Sequence, residues 1–164
     1  VSLPGSDKVR LWPGGSGGAF DTTRATDLIV GKTPINVVAG GLNADALPDL
    51  VVANAGDQTV SVLLGSAAGF GSAQSYPVGD KPTGIAIADL DGDGHADVVV
   101  TNRVSNTLTI LRGAGDGKLT PIGDLATRQQ PEGLAIGDLN GDGLLDIAVA
   151  NVAEDVISVF YGKK

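Results

Sequence analysis

The chain contains no cysteine and no methionine, a single histidine and a single tryptophan, and aromatic residues make up only 4% of its 164 positions. The lack of cysteine excludes disulfides, thiol nucleophiles and Cys-ligated zinc, while leaving the redox compartment open. Basic residues are also few. Eleven lysines and arginines against nineteen acids leave a net charge of −8, which argues against nucleic acid and anionic membrane surfaces as partners, since both need clustered cations. No run approaches the ~18 apolar residues of a membrane span, so no membrane insertion is expected. The opening VSLPGSDKV has neither the basic nor the apolar region of an export signal, so any such signal is removed or lies upstream.

What is present is 42% hydrophobic residues and 25 glycines. That content supports a packed core. Runs of Val, Ile, Leu and Ala punctuated by glycine point to short strands joined by tight turns, an all-β fold.

The chain repeats itself. GKTPINVVAGGLNADALPDLVVAN from Gly31, GDKPTGIAIADLDGDGHADVVVTN from Gly79 and QQPEGLAIGDLNGDGLLDIAVAN from Gln129 align on Pro34, Pro82 and Pro131, which are 48 and 49 positions apart. Asn54, Asn102 and Asn151 keep the same spacing. A period near 48 fits the blades of a β-propeller and excludes a nonapeptide β-helix. Each unit reads as four strands: Gly84–Ala88, Val98–Asn102 and Thr107–Arg112 in one unit, with a less regular fourth such as Ala73–Val78 in the unit before it. Small residues at Gly84, Ala86, Gly133 and Ala135 place the first strand innermost, where strands crowd the propeller axis. The expected units are 1–30 (a partial blade of two strands, Lys8–Trp12 matching a third strand), 31–78, 79–128, and 129–164 (a partial blade of three). About 3.4 units fit in the chain, below the roughly four to eight blades that close a ring. The expectation is a partial propeller, either a piece of a longer protein or a protomer of a homo-oligomer whose copies complete the ring.

The chemistry lies in two nonapeptides, DLDGDGHAD from Asp89 and DLNGDGLLD from Asp138. Each sets oxygen-bearing side chains at positions 1, 3, 5 and 9. These are Asp89, Asp91, Asp93 and Asp97 in the first, and Asp138, Asn140, Asp142 and Asp146 in the second. Carboxylates this close repel one another and present hard oxygens, which suits Ca²⁺. The backbone carbonyls of His95 and Leu144 at position 7 add a fifth protein ligand each. Glycines at positions 4 and 6 let a short loop turn its oxygens inward. An EF-hand would need a Glu at position 12, where Val100 and Val149 stand instead. Two bound divalent ions would take the charge from −8 to −4. The matching stretch Gly41–Asp49 has lost the first acid and both glycines. Asn43, Asp45 and Asp49 survive there, leaving at most a weak, degenerate third site.

These loops, each followed by an apolar strand in units of about 50 residues, resemble the FG-GAP/VCBS repeats of integrin-α-type calcium-binding β-propellers. The FG element itself is seen at Phe70-Gly71 and in degenerate form at Phe20-Asp21. The resemblance implies calcium in the hairpin between the first and second strands of a blade, with binding surfaces elsewhere on the ring. It also implies a secreted or cell-surface module for adhesion or recognition of a protein or glycan. Some relatives are instead non-catalytic parts of larger polysaccharide-acting enzymes, and a self-assembling structural protein is a further reading.

No enzyme is expected. Gly14-Gly15-Ser16-Gly17-Gly18 matches G-x-S-x-G literally but joins two β-type segments, not a strand to a helix. His95 lies inside an acidic loop, so no base serves a nucleophile. Asn54, Asn102 and Asn151 read as turn-forming residues bonded to backbone, and Trp12, Tyr76 and Tyr161 as packing residues.

Overall fold

Runs of valine, leucine and threonine bounded by turn residues form sixteen strands in the computed structural model, which describes residues 2–3 and 5–163, with side chains from residue 5 onward. The first sheet holds β1 (Ser2–Leu3), β2 (Lys8–Leu11) and β3 (Thr26–Ile29). The second holds β4 (Pro34–Gly40), β5 (Asp49–Asn54), β6 (Thr59–Leu63) and β9 (Gln74–Pro77). A two-stranded hairpin, β7 (Gly65–Ser66) with β8 (Gly69–Phe70), interrupts it. The third holds β10 (Pro82–Ala88), β11 (Asp97–Asn102), β12 (Thr107–Gly113) and β13 (Leu119–Ala126), and the fourth β14 (Pro131–Gly137), β15 (Asp146–Asn151) and β16 (Val156–Phe160). Every pairing is antiparallel, and all join consecutive strands except β6 with β9, which the β7–β8 hairpin separates. This is a partial propeller. Among the described residues no helix is long and apolar enough to cross a membrane.

One detail differs from the sequence reading. Two strands are expected before Gly31 and three are found, because Ser2–Leu3 folds back onto Lys8–Val9. Two residues are too short for any periodicity to reveal.

The first strands of the second, third and fourth sheets are innermost: β10 packs against β4 and β5 on one side and β14 on the other. The crowding that selects small residues is specific. A Cβ on Gly84 would run into the carbonyl of Glu132, whereas Gly133, its counterpart one unit on, has nothing within 4 Å of that point. Thr101 closes the same seam, accepting from Gly84 N at 2.6 Å and donating to Glu132 O at 2.7 Å.

The core follows from period-two alternation in strands covered on both faces. In β11, Val98 and Val100 point to Val51, Ala53, Val60 and Val62 of the second sheet, while Val99 points to Ile147 and Val149 of the fourth. All three valines are fully buried, and each such side chain contributes about 1.5–3 kcal/mol. Asn54 and Asn102 are also buried, but they bond mainly to hydroxyls, not to backbone as the sequence suggests. Nδ2 of Asn102 donates to Thr107 at 3.0 Å and Thr109 at 2.8 Å, and Nδ2 of Asn54 to Thr59 and Ser61. Only Asn151 adds the carbonyls of Val149 and Val156 to its hydroxyl partner Ser158. Ser16–Gly18 forms one 3-10 turn within the β2–β3 connection, so the Gly-rich run is not a strand-to-helix elbow.

Candidate metal centre

Each acidic nonapeptide forms the hairpin between the first and second strands of its sheet, β10–β11 and β14–β15. The position-1 carboxylate is the hub of the loop. Asp89 Oδ1 accepts from Gly92 N at 2.8 Å and Asp93 N at 3.2 Å, and its Oδ2 from Gly94 N at 2.9 Å. Asp138 repeats the pattern with Gly141, Asp142 and Gly143. The backbone N–H groups of Gly143 and Gly141 hold the Asp138 carboxyl below the usual carboxylate range, because they stabilise its charged form. The convergence needs a left-handed backbone at position 6, where Gly94 has φ +88° and Gly143 φ +84°.

Positions 3 and 5 brace the loop locally. Asp91 Oδ1 accepts from Asp93 N and Asp93 Oδ1 from His95 N; Asn140 and Asp142 do the same for Asp142 N and Leu144 N. Position 9 is buried. Asp97 is 3% exposed and Asp146 fully buried, and both oxygens of each take backbone N–H groups, Leu90 and Gly113 for Asp97, Leu139 and Gly162 for Asp146.

Asp89, Asp91 and Asp97 each place one carboxylate oxygen within 4.8 Å of the others. Three like charges at that spacing favour a cation among them. Asp93 stands outside this set, its Oδ1 turned to the His95 amide. Asp138, Asp142 and Asp146 do not gather to the same spacing, and the second loop has the neutral Asn140 at position 3. His95 and Leu144 occupy the position-7 turn, and the His95 ring lies against Gly115. The donor set is therefore all oxygen and suits a hard divalent ion: Asp89, Asp91 and Asp97 would hold it in the first loop.

The degenerate loop keeps more of this shape than its sequence suggests. Asp49 still clasps Leu42 N at 2.7 Å and Gly65 N at 2.8 Å, and Asn43 and Asp45 still receive Asp45 N and Leu47 N. Ala46 holds the position-6 conformation at φ +63° without being glycine. The hub is missing, since Gly41 has no carboxylate.

Arg112, at the end of β12, escapes sequence reasoning: its Nη2 lies 2.8 Å from Oδ2 of Asp91. The only signal is periodic, because the residue before Gly113 corresponds to Leu64 and Tyr161, each preceding the glycine whose N–H bonds the position-9 aspartate.

A family profile for the FG-GAP-like repeat matches residues 41–100 and again 89–149, the first running from the degenerate loop into β11 and the second from the Asp89 loop into β15. The chain belongs to the FG-GAP-like repeat family. A search among curated proteins found no match. Among solved structures, this FG-GAP-like chain is similar to a protein from Desulfotomaculum acetoxidans DSM 771 described as functionally unknown. They share 16% identity at a TM-score of 0.58, over 88% of this chain and 46% of that one. It is also similar to a chain in the crystal structure of BBS1N in complex with ARL6DN, soaked with lead, with 16% identity and a TM-score of 0.61 over 94% of this chain and 49% of the other. At that identity the likeness concerns the fold. The FG-GAP-like chain spans about half the length of the structures it matches.

Proposed function

We propose that this chain is a segment of a calcium-stabilised β-propeller, secreted or displayed at a cell surface, that recognises a protein or glycan. The carrying observation is the convergence of Asp89, Asp91 and Asp97 oxygens within 4.8 Å inside an FG-GAP-like hairpin. Bound calcium would neutralise carboxylates that otherwise repel, tying position 1 to position 9 across the hairpin. The protein's own part is to hold those oxygens in place, through the backbone N–H bonds of Gly92, Gly94, Leu90 and Gly113. The role is structural. No turnover is assigned to this chain, and recognition falls to surfaces away from the loops.

Calcium titration by calorimetry, paired with melting in calcium and in chelator, tests this. Two sites are expected, and at roughly 100-fold excess over Kd each adds about 2.7 kcal/mol. Asp91→Ala and Asp142→Ala should each silence one site. Absence of binding at about 10 mM calcium, well above the 10⁻⁴ to 10⁻³ M of extracellular modules, overturns the reading. A glycan array with an activity screen then separates a recognition module from part of a polysaccharide-acting enzyme.

A second reading, in which copies of the chain complete the ring, is favoured by the uncovered fourth sheet. There Ile157 is 66% and Tyr161 58% exposed, and among the described residues no strand pairs with the outer edge of β16. Light scattering decides it, a multiple of the 16.4 kDa mass supporting assembly and a monomer rejecting it.

A further inference from the structure

The two acidic loops carry different formal charges. The Asp89 loop has four carboxylates, Asp89, Asp91, Asp93 and Asp97; the Asp138 loop has three, because Asn140 replaces the acid at position 3. The structure compensates from outside the nonapeptide. Arg112 pairs with Asp91 at 2.8 Å, so loop and guanidinium together carry the charge of the second loop alone. Strand register makes the comparison direct: Val98 faces Leu111 and Ile147 faces Phe160, so the next residues, Arg112 and Tyr161, hold equivalent places beside the two loops. Among the described residues no basic side chain pairs with Asp138, Asp142 or Asp146. Asp91 is one of the three carboxylates that converge, so the arginine pairs with a carboxylate the site would offer to a metal.

We infer that Arg112 is a built-in counter-cation of the Asp89 loop, paired with Asp91 when metal is absent and competing with a divalent ion for that carboxylate. The inference rests on the calcium reading above and adds a regulation to it. The paired arginine partly neutralises the loop without metal and repels an incoming dication, so the Asp89 site binds calcium more weakly than its four carboxylates imply. The Asp138 loop has no such substitute and depends more on the ion. Arg112 is half exposed and touches Asp91, not the core, so it acts as a positioning residue and can be replaced without opening a cavity.

The test is calcium calorimetry on the whole chain in an Asp142→Ala background, which silences the second loop, comparing Arg112, Arg112→Lys and Arg112→Gln at several salt concentrations. Arg112→Gln should raise calcium affinity by about threefold to tenfold at low salt, with the gain shrinking as salt screens the pair. Arg112→Lys keeps the charge and should stay near the parent. In chelator, Arg112→Gln should speed amide exchange at Asp93, whose N–H is accepted by Asp91 Oδ1, because Asp91 has lost its partner. Unchanged affinity in Arg112→Gln overturns the counter-cation role and leaves calcium binding standing. No calcium heat in any form, with Asp142 restored, overturns both.

Discussion

Asp97 ties two segments together: its Oδ1 accepts the backbone N–H of Gly113 at 2.9 Å while its Oδ2 accepts that of Leu90 at 3.0 Å. Asp146 does the same for Gly162 and Leu139, and Asp49 for Gly65 and Leu42, although the Asp49 loop has lost its position-1 acid. The position-9 aspartate therefore serves the fold whether or not metal is bound. Replacing Asp49 with Ala leaves two buried N–H donors unpaired, at roughly 1–3 kcal/mol each, so a loss of about 2–6 kcal/mol is expected. Urea unfolding with and without calcium should show the same loss in both; a loss confined to calcium would make Asp49 a ligand.

Leu108 and Ile157 occupy one register position in the third and fourth sheets, opposite Thr101 and Ala150 respectively. Leu108 is fully buried and Ile157 is 66% exposed. Leu108→Ala should cost about 2–5 kcal/mol, and Ile157→Ala in the isolated chain less than about 0.5 kcal/mol. Equal losses in chemical unfolding would mean that the fourth sheet is covered in solution.

Ala46 sits at φ +63°, where a Cβ carries roughly 1–2 kcal/mol of strain. Ala46→Gly removes the strain but loosens the unfolded chain, so a net gain of up to about 1 kcal/mol is expected. A lowered melting temperature would contradict the loop geometry.

Asp27 is bound on two sides by the first sheet. Arg10 donates Nε to Oδ1 at 2.6 Å and Nη2 to Oδ2 at 2.9 Å, and Lys8 stands 3.6 Å away. The Arg10 hydrogen bonds, with charge attraction from Arg10 and Lys8, hold the Asp27 carboxyl below the usual range. A carboxylate with a depressed folded pKa contributes stability above its unfolded pKa, about 3.9, and loses it as pH falls through the lower folded value. Asp27→Asn should thus narrow the drop in melting temperature between about pH 5 and pH 2; the same drop in both proteins would remove Asp27 from the acid response.

Much of this was legible residue by residue. The loop donors fall within one contiguous nonapeptide, so their offsets identify them without knowledge of the fold. The second strands, such as DVVVTN, are buried along their whole length and read as continuous apolar runs because sheets cover both faces. Gly84 announced a crowded axis. Arg112 stayed hidden because it approaches Asp91 only through the β11–β12 register, and short β1 because two residues hold no period.

The sequence by itself determined the repeat, the all-β class and the ligand-type residues, since each is written in local spacing and alternation. Tertiary structure alone decided which carboxylates converge and what stands beside them. It sets Asp89, Asp91 and Asp97 together while turning Asp93 to an amide, and brings a cation to one loop and not the other. The reason is physical: spacing along a chain is inherited from the sequence, but the electrostatic surroundings of a charge depend on groups that only strand pairing brings near.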